Sequence, residues 1–268
     1  MTSALTDMQQ ALANEPVVLV CVKQTQGSVP RETGAWMAVL PAQVIGSIGG
    51  GHLEFDAIAQ ARAVLAGAAP TTEPQRVALG PSMGQCCGGV VFLSYELLGP
   101  QDAAGLAQRL QAPTTPVALF GGGHVGQAIA RQLAHLPFAL HWIDSRDEIF
   151  PADTAPNIRC EHSDPVQAAV ADIAPGSAVL IMSFSHAEDL EILAQCLQRA
   201  RKQDDLPYIG LIGSKSKWAT FRHRLEARGY DEMDFARVTC PIGVPGIAGK
   251  QPEVIAVAVA AQLLLRTA

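Results

Sequence analysis

Aromatic residues make up only 5% of this 268-residue chain, and charged residues only 16%. Basic clusters are missing altogether. With 19 Lys and Arg against 25 Asp and Glu, the formal charge is −6, which leaves no electrostatic footprint for nucleic acid or an anionic membrane. No apolar run reaches the roughly 20 residues that cross a bilayer. The first residues, "MTSALTDMQQALANEP", lack the basic and apolar regions of a signal peptide. There is no C-x-x-C spacing among the six cysteines, so neither a disulfide framework nor a zinc centre is expected. Reduced thiols in a cytoplasmic protein follow.

What is present is alanine, valine and leucine, within a 49% hydrophobic content that suffices for a buried core. The length suits two modest domains. An amphipathic helix is expected over about Ser3–Asn14, then a buried strand in "PVVLVCVKQT" (16–25). Strand, glycine loop and helix follow in "AQVIGSIGGGHLEFDAIAQARAVL", where Leu53, Ala57, Ala61 and Val64 share one helical face. Two further strands flank "GPSMGQCCGG", closing a first α/β domain over 1–98. The stretch 99–115, bracketed by glycine and prolines around a short helix, reads as a linker.

From Pro116 to Ala268 the pattern becomes strand–helix alternation. Its strands are "PVALF", "FALHWID", "NIRCE", "SAVLIMS" and "PYIGLIG". Helices are expected near 125–135, 165–171, 187–201 and 215–228, which implies a Rossmann-type parallel sheet covered on both faces. A last helix over 251–266 is apolar on most sides, and either domain could receive it.

Three glycine loops mark the first domain: "GSVPRETGA", "GSIGGGHLE" and the cysteine loop. Arg31, His52 and Glu54 are their reactive residue types. Cys86 and Cys87 stand between glycines, outside any pattern that would build a core. Neighbouring side chains in extended backbone point to opposite sides, so one thiol can face a pocket while the other packs inward. Arg31 is the candidate cation to stabilise a thiolate there. Soft thiolate favours thiophilic metals and sulfur exchange over magnesium or calcium. Cys21, Cys160, Cys196 and Cys240 read as small core hydrophobes.

In the second domain Gly121-x-Gly123-x-x-Gly126 lies between a strand and a helix, with Asp144 ending the next strand. Gly121 allows the tight turn, Gly123 the approach of phosphate, and Gly126 the close packing of helix on strand. Asp144 suits a ribose hydroxyl, while Arg146 could equally receive a phosphate. His124, His186, Ser214, Lys215 and Lys217 also fall at strand ends or helix starts. None of Tyr95, Tyr208 and Tyr230 has a lysine four residues on, so one familiar oxidoreductase proton donor is missing.

Taken in order, "GSVPRETGAWM", "GSIGGGHLE", "GQCCGGVV", "LFGGGHVGQAIA", "YIGLIGSKSKW" and "CPIGVPGIAGKQPEVIAVAVAAQLL" resemble the XdhC family of xanthine dehydrogenase accessory proteins, related to the CoxI proteins. The resemblance covers nearly the whole chain. It implies an XdhC/CoxI domain followed by a Rossmann-type domain. It also implies a non-catalytic chaperone that binds molybdenum cofactor (molybdopterin), assists its sulfuration and delivers it to the molybdenum-binding subunit of xanthine dehydrogenase. A cysteine desulfurase would be the sulfur-supplying partner, and a homodimer is left open. Carried onto this chain, the cofactor-facing residues are Cys86 and Cys87 with Arg31 and His52. Cys86 is the candidate molybdenum ligand, because Cys87 stands nearer the apolar run "VVFL". Broader CoxI-like relatives often carry cysteine where this chain has His52, which leaves 86–87 as the thiol source. The other reading from the residues is an NAD(P)-dependent oxidoreductase or nucleotide-binding protein using the Gly121–Gly126 loop and Asp144. An interaction scaffold with structural glycine loops is the third.

Overall fold

The computed structural model describes residues 3–80, 88–110 and 113–267. Two compact units divide the chain at residues 112 and 113.

In the first unit, helix α1 (Ser3–Leu12) precedes strands β1 (Val17–Gln26), β2 (Trp36–Val39) and β3 (Val44–Gly46). Helix α2 (Gly51–Leu65), strands β4 (Gln75–Ala78) and β5 (Val90–Leu98) and helix α3 (Ala103–Leu110) complete it. The five strands form an antiparallel sheet in the order β3-β2-β1-β5-β4. Central β1 opens on an unbroken apolar run because both its faces are covered. Val18, Val20 and Val22 pack with Leu53, Ala57, Ala61 and Val64 of α2, the face expected from their spacing. Val17, Leu19 and Cys21 pack on the other side, with Met8 and Leu12 of α1 and Leu106 of α3. The segment 99–115 therefore departs from a linker: the fully buried Leu106 ties α3 to the first unit's core.

In the second unit, strands β6 (Thr115–Phe120), β7 (Phe138–Asp144), β8 (Ile158–His162), β9 (Ala178–Ile181), β10 (Tyr208–Leu211) and β11 (Val238–Thr239) form one parallel sheet. Their order is β11-β10-β9-β6-β7-β8. Counted from its first strand this is the 3-2-1-4-5-6 order of a doubly wound fold, whose direction reverses between β6 and β9. Helices α4 (His124–Leu133), α5 (His186–Gln203), α6 (Lys215–Glu226), α7 (Glu232–Phe235) and α8 (Pro252–Thr267) accompany the sheet. Ala118 and Phe120 face the core shared with α5 and α6, while Val117 and Leu119 face the core shared with α4 and α8. The terminal helix thus closes the second unit, with Ala256, Val259, Ala260 and Leu263 buried against the sheet. Two features differ from expectation. The helix expected at 165–171 is a 3-10 segment, Val166–Asp172, and a short sixth strand, β11, joins the edge.

Candidate functional site

The first unit brings the bases of its three glycine loops together. A Cβ placed on Gly89, where the cysteine loop ends, would stand 2.4 Å from the Ser28 carbonyl oxygen and 2.8 Å from Val29 Cγ1. One placed on Gly49 would stand 2.6 Å from Pro30 Cγ. Glycine is what permits these approaches, and Gly49, with φ of 126°, needs it for its backbone as well. The Leu79 N–H donates to the Gly89 carbonyl at 2.8 Å, closing the base of the cysteine loop. Cys86 and Cys87 themselves lie outside the described residues.

Arg31 is exposed, with its guanidinium 3.4 Å from Glu32 and 3.5 Å from the Ser47 carbonyl. His52 is exposed in the first turn of α2, and Phe55, 71% exposed, follows three residues later. Glu54 turns inward. Its Oε2 accepts from Ser47 Oγ at 2.6 Å and from the N–H groups of Ile48 and Gly50, each at 3.1 Å. Burial alone would raise the Glu54 pKa, but the Ser47 hydroxyl and the backbone N–H groups outweigh it and hold the carboxyl below its ordinary value. Glu54 is therefore an anchor of the second loop and not an open reactive group.

Two of the four described thiols match the core reading made from their sequence context, and the other two sit at the edge of a core. Cys21 and Cys196 are buried and Cys160 and Cys240 half-buried. Burial pushes all four thiols up, Cys196 to about 12. Among the described residues no group of three or more His, Cys, Asp or Glu is placed to hold a metal ion. None of these four supplies a ready thiolate.

In the second unit the glycine motif has three different jobs. A Cβ on Gly121 would lie 2.0 Å from the Met182 carbonyl oxygen, and one on Gly126 would lie 1.9 Å from that of Gly121. These two glycines weld the turn to β9 and α4 to β6. Trp142 adds to the joint by donating from Nε1 to the Gly121 carbonyl at 2.9 Å. Gly123 is different: it caps α4 with φ of −68°, and a Cβ there would meet nothing within 4 Å. Of the three motif glycines it is the one with open space at its Cβ position.

Asp144 ends β7, but it is only 2% exposed. Its Oδ1 accepts from the Arg146 backbone N–H and Nε, both at 2.9 Å. Its Oδ2 accepts from Arg146 Nη2 at 2.9 Å and from the Gly122 N–H at 2.5 Å. Burial works against this charge, yet the Arg146 guanidinium and the two N–H groups hold the carboxyl below its ordinary value. Asp144 thus braces the glycine loop, each of its oxygens accepting two hydrogen bonds from Arg146 and Gly122.

His124 and His186 are exposed first residues of α4 and α5. Lys217, considered for phosphate, instead pairs with buried Asp189 at 2.6 Å and donates to the Ile212 carbonyl at 2.8 Å. Ser214 caps α6. The spacing reading passed over Ser145, Phe184 and Glu188. Ser145 Oγ donates to Glu188 Oε1 at 2.8 Å, and the Arg146 guanidinium lies 4.7 Å over the Phe184 ring. Their only sequence signal is Ser185-x-x-Glu188, a capping-box pattern.

These features define a two-unit α/β protein whose second unit is a doubly wound Rossmann-type domain with a glycine loop at its strand-order reversal. The chain belongs to the XdhC family: residues 117–263 match the XdhC Rossmann domain, and residues 11–74 match the XdhC and CoxI family. It is similar to YqeB of Escherichia coli, an uncharacterized protein, with 28% identity over 258 residues. That match takes in 94% of this chain but 43% of YqeB, so the chain spans less than half the length of that relative. The fold is similar to a crystal structure from Bacillus halodurans described as a xanthine dehydrogenase. The TM-score is 0.73 at 20% identity, over 99% of this chain and 96% of the other, a likeness of fold alone. Among the described residues no helix is long and apolar enough to cross a membrane.

Proposed function

We propose that this protein is an accessory protein of xanthine dehydrogenase that binds molybdenum cofactor, protects it during sulfuration and hands it to the enzyme's molybdenum-binding subunit. The observation that carries the reading is the convergence of three glycine-loop bases in the first unit, with Gly89 seated on Ser28 and Val29 and Gly49 on Pro30. Membership of the XdhC family supports it, as does the description of the Bacillus halodurans neighbour.

The residues around that rim fit such a cofactor in kind. Arg31 offers an exposed cation to its phosphate, and His52 offers an exposed ring at the start of α2. Cys86 would be the residue that meets the molybdenum. The bound cofactor would supply a dithiolene-held molybdenum centre able to accept sulfur. The protein's own part is to hold it, with Glu54 and Ser47 fixing the second loop and the Arg31 charge favouring a thiolate next to it. A cysteine desulfurase supplies the sulfur, and the reducing cytoplasm keeps the thiols free.

The test is mass spectrometry under native conditions, with elemental analysis, on protein purified from a molybdenum-replete host. Pterin together with molybdenum, and activation of apo xanthine dehydrogenase by the loaded protein, are the expected results. Protein that carries neither and activates nothing contradicts the reading.

A further inference from the structure

Neighbouring strands of a parallel sheet are joined by a crossover that usually carries a helix, and that helix covers the face it crosses. The connection from β7 to β8, residues 145–157, holds no helix. The two strands are parallel neighbours at the edge of the sheet, so the chain must still cross that face. It does so as an irregular segment. Between that segment and α4 lies a cavity of about 220 Å³.

The walls of the cavity are apolar and its rim is charged. Ala130 and Ala134 of α4, Trp142 of β7, and Pro151 and Ile158 line it. The frame is fixed in advance. Trp142 donates to the Gly121 carbonyl and sets its ring edge-on to Phe150 at 5.2 Å. Gln127, which also lines the cavity, donates from Nε2 to the Gly122 carbonyl at 3.2 Å. Arg131 and Asp153 complete the lining, and both are exposed. Arg131 spends its Nε–H on the Gln127 carbonyl at 3.2 Å. Among the described residues its terminal nitrogens and the Asp153 carboxylate have no hydrogen-bond or ion-pair partner, not even each other.

One exposed charge is ordinary surface. Two of opposite sign that border one cavity without joining each other match a ligand that carries both signs. Volume limits the rest of that ligand. An apolar cavity of about 150 Å³ takes benzene, whereas drug-sized ligands occupy about 300 Å³ or more. The occupant therefore has both charges and one branched or aromatic group.

We infer that this cavity binds a free amino acid with an apolar side chain. Its carboxylate meets Arg131, its ammonium meets Asp153, and its side chain lies among Ala130, Ala134 and Ile158. The cavity reaches the amino end of β8, where Ile158 begins the strand, whereas the glycine loop follows the carboxyl end of β6. It is a separate site, and it does not rest on the cofactor reading of the first unit.

The experiment is calorimetric titration of the full chain with L-leucine, L-methionine and L-phenylalanine. Whichever binds is then compared with the amine that lacks its carboxylate and the acid that lacks its ammonium group. At least one amino acid is expected to bind, with its amine and its acid at least about tenfold weaker. Arg131→Ala should weaken the amino acid about tenfold and leave the amine unchanged. Asp153→Ala should weaken it by about the same factor and leave the acid unchanged. Both positions are exposed, so both variants should melt near wild type. Binding of none of the three, an amine or acid that binds as tightly as the amino acid, or affinity that survives both substitutions overturns the assignment.

Discussion

Each unit builds a glycine loop around one carboxylate, and the two carboxylates differ in what steadies their charge. Glu54 is held by a hydroxyl and backbone N–H groups of its own loop, with no cation in contact among the described residues. Asp144 is held by a guanidinium as well as by N–H groups. The first arrangement depends on loop shape, while the second sets a one-third-exposed Arg146 beside the glycine loop. Neutral donors fix the first loop but leave the Glu54 charge uncompensated. The guanidinium fixes the second loop and compensates the charge, so that Asp144 and Arg146 form an ion pair of no net charge.

Substituting the glycines should separate the units most strongly. Gly126→Ala would drive a methyl group into the Gly121 carbonyl, backbone against backbone, and should cost about 3 kcal/mol or more. Gly89→Ala meets the Ser28 carbonyl at a longer 2.4 Å and should cost about 2 kcal/mol. Urea unfolding gives both values, and a larger loss at Gly89 would reverse the ranking of the two loops.

The carboxylates come next. Both pKa values are depressed in the folded protein, so each contributes stability fully above the ordinary carboxylate range and loses it as pH falls through the depressed value. Asp144→Asn leaves Arg146 without its partner and should cost about 2–3 kcal/mol near neutral pH. Glu54→Gln should cost about 1 kcal/mol, since it removes only hydrogen bonds to a charge from neutral donors. Unfolding free energies measured from about pH 7 downward should bring both variants progressively closer to wild type as the pH drops below the ordinary carboxylate range and through each depressed value. A gap that stays constant with pH would mean that neither charge matters.

The smallest effect on stability belongs to Gly123→Ala. With φ of −68° and open space at its Cβ, alanine should change stability by less than about 0.5 kcal/mol. The methyl group would still obstruct a phosphate, lowering pyrophosphate or nucleotide affinity ten- to a hundredfold, about 1.4–2.8 kcal/mol. Unchanged affinity would leave the glycine a turn residue only.

Much of this was legible in the sequence, for reasons that differ by element. The α2 face of Leu53, Ala57, Ala61 and Val64 and the apolar strands of the parallel sheet follow from periodicity, because burial selects residues at fixed spacing. The glycine motif was legible too, although its spacing does not reveal that Gly121 and Gly126 serve packing while Gly123 stays open. The roles of α3 and of Asp144 were hidden. Glycine and prolines around 99–115 say where the chain bends, but only tertiary packing buries Leu106. A carboxylate at a strand end looks the same in sequence whether it faces a ribose or an arginine two residues on. Glu188 was hidden by its own pattern, because Ser-x-x-Glu predicts a helix cap and the carboxylate goes to Ser145 instead.

The central claim is a thiol-bearing cofactor site in the first unit, and the most direct measurement is molybdenum per protein in Cys86→Ala and Cys87→Ala beside wild type. The account predicts that Cys86→Ala retains little molybdenum and fails to activate apo xanthine dehydrogenase, yet melts near wild type. Cys87→Ala should keep more of the metal and lose stability within the usual ~0.5–3 kcal/mol of a point change. Full molybdenum and full activating power in both variants would contradict it and leave Cys86 and Cys87 without a part in cofactor binding.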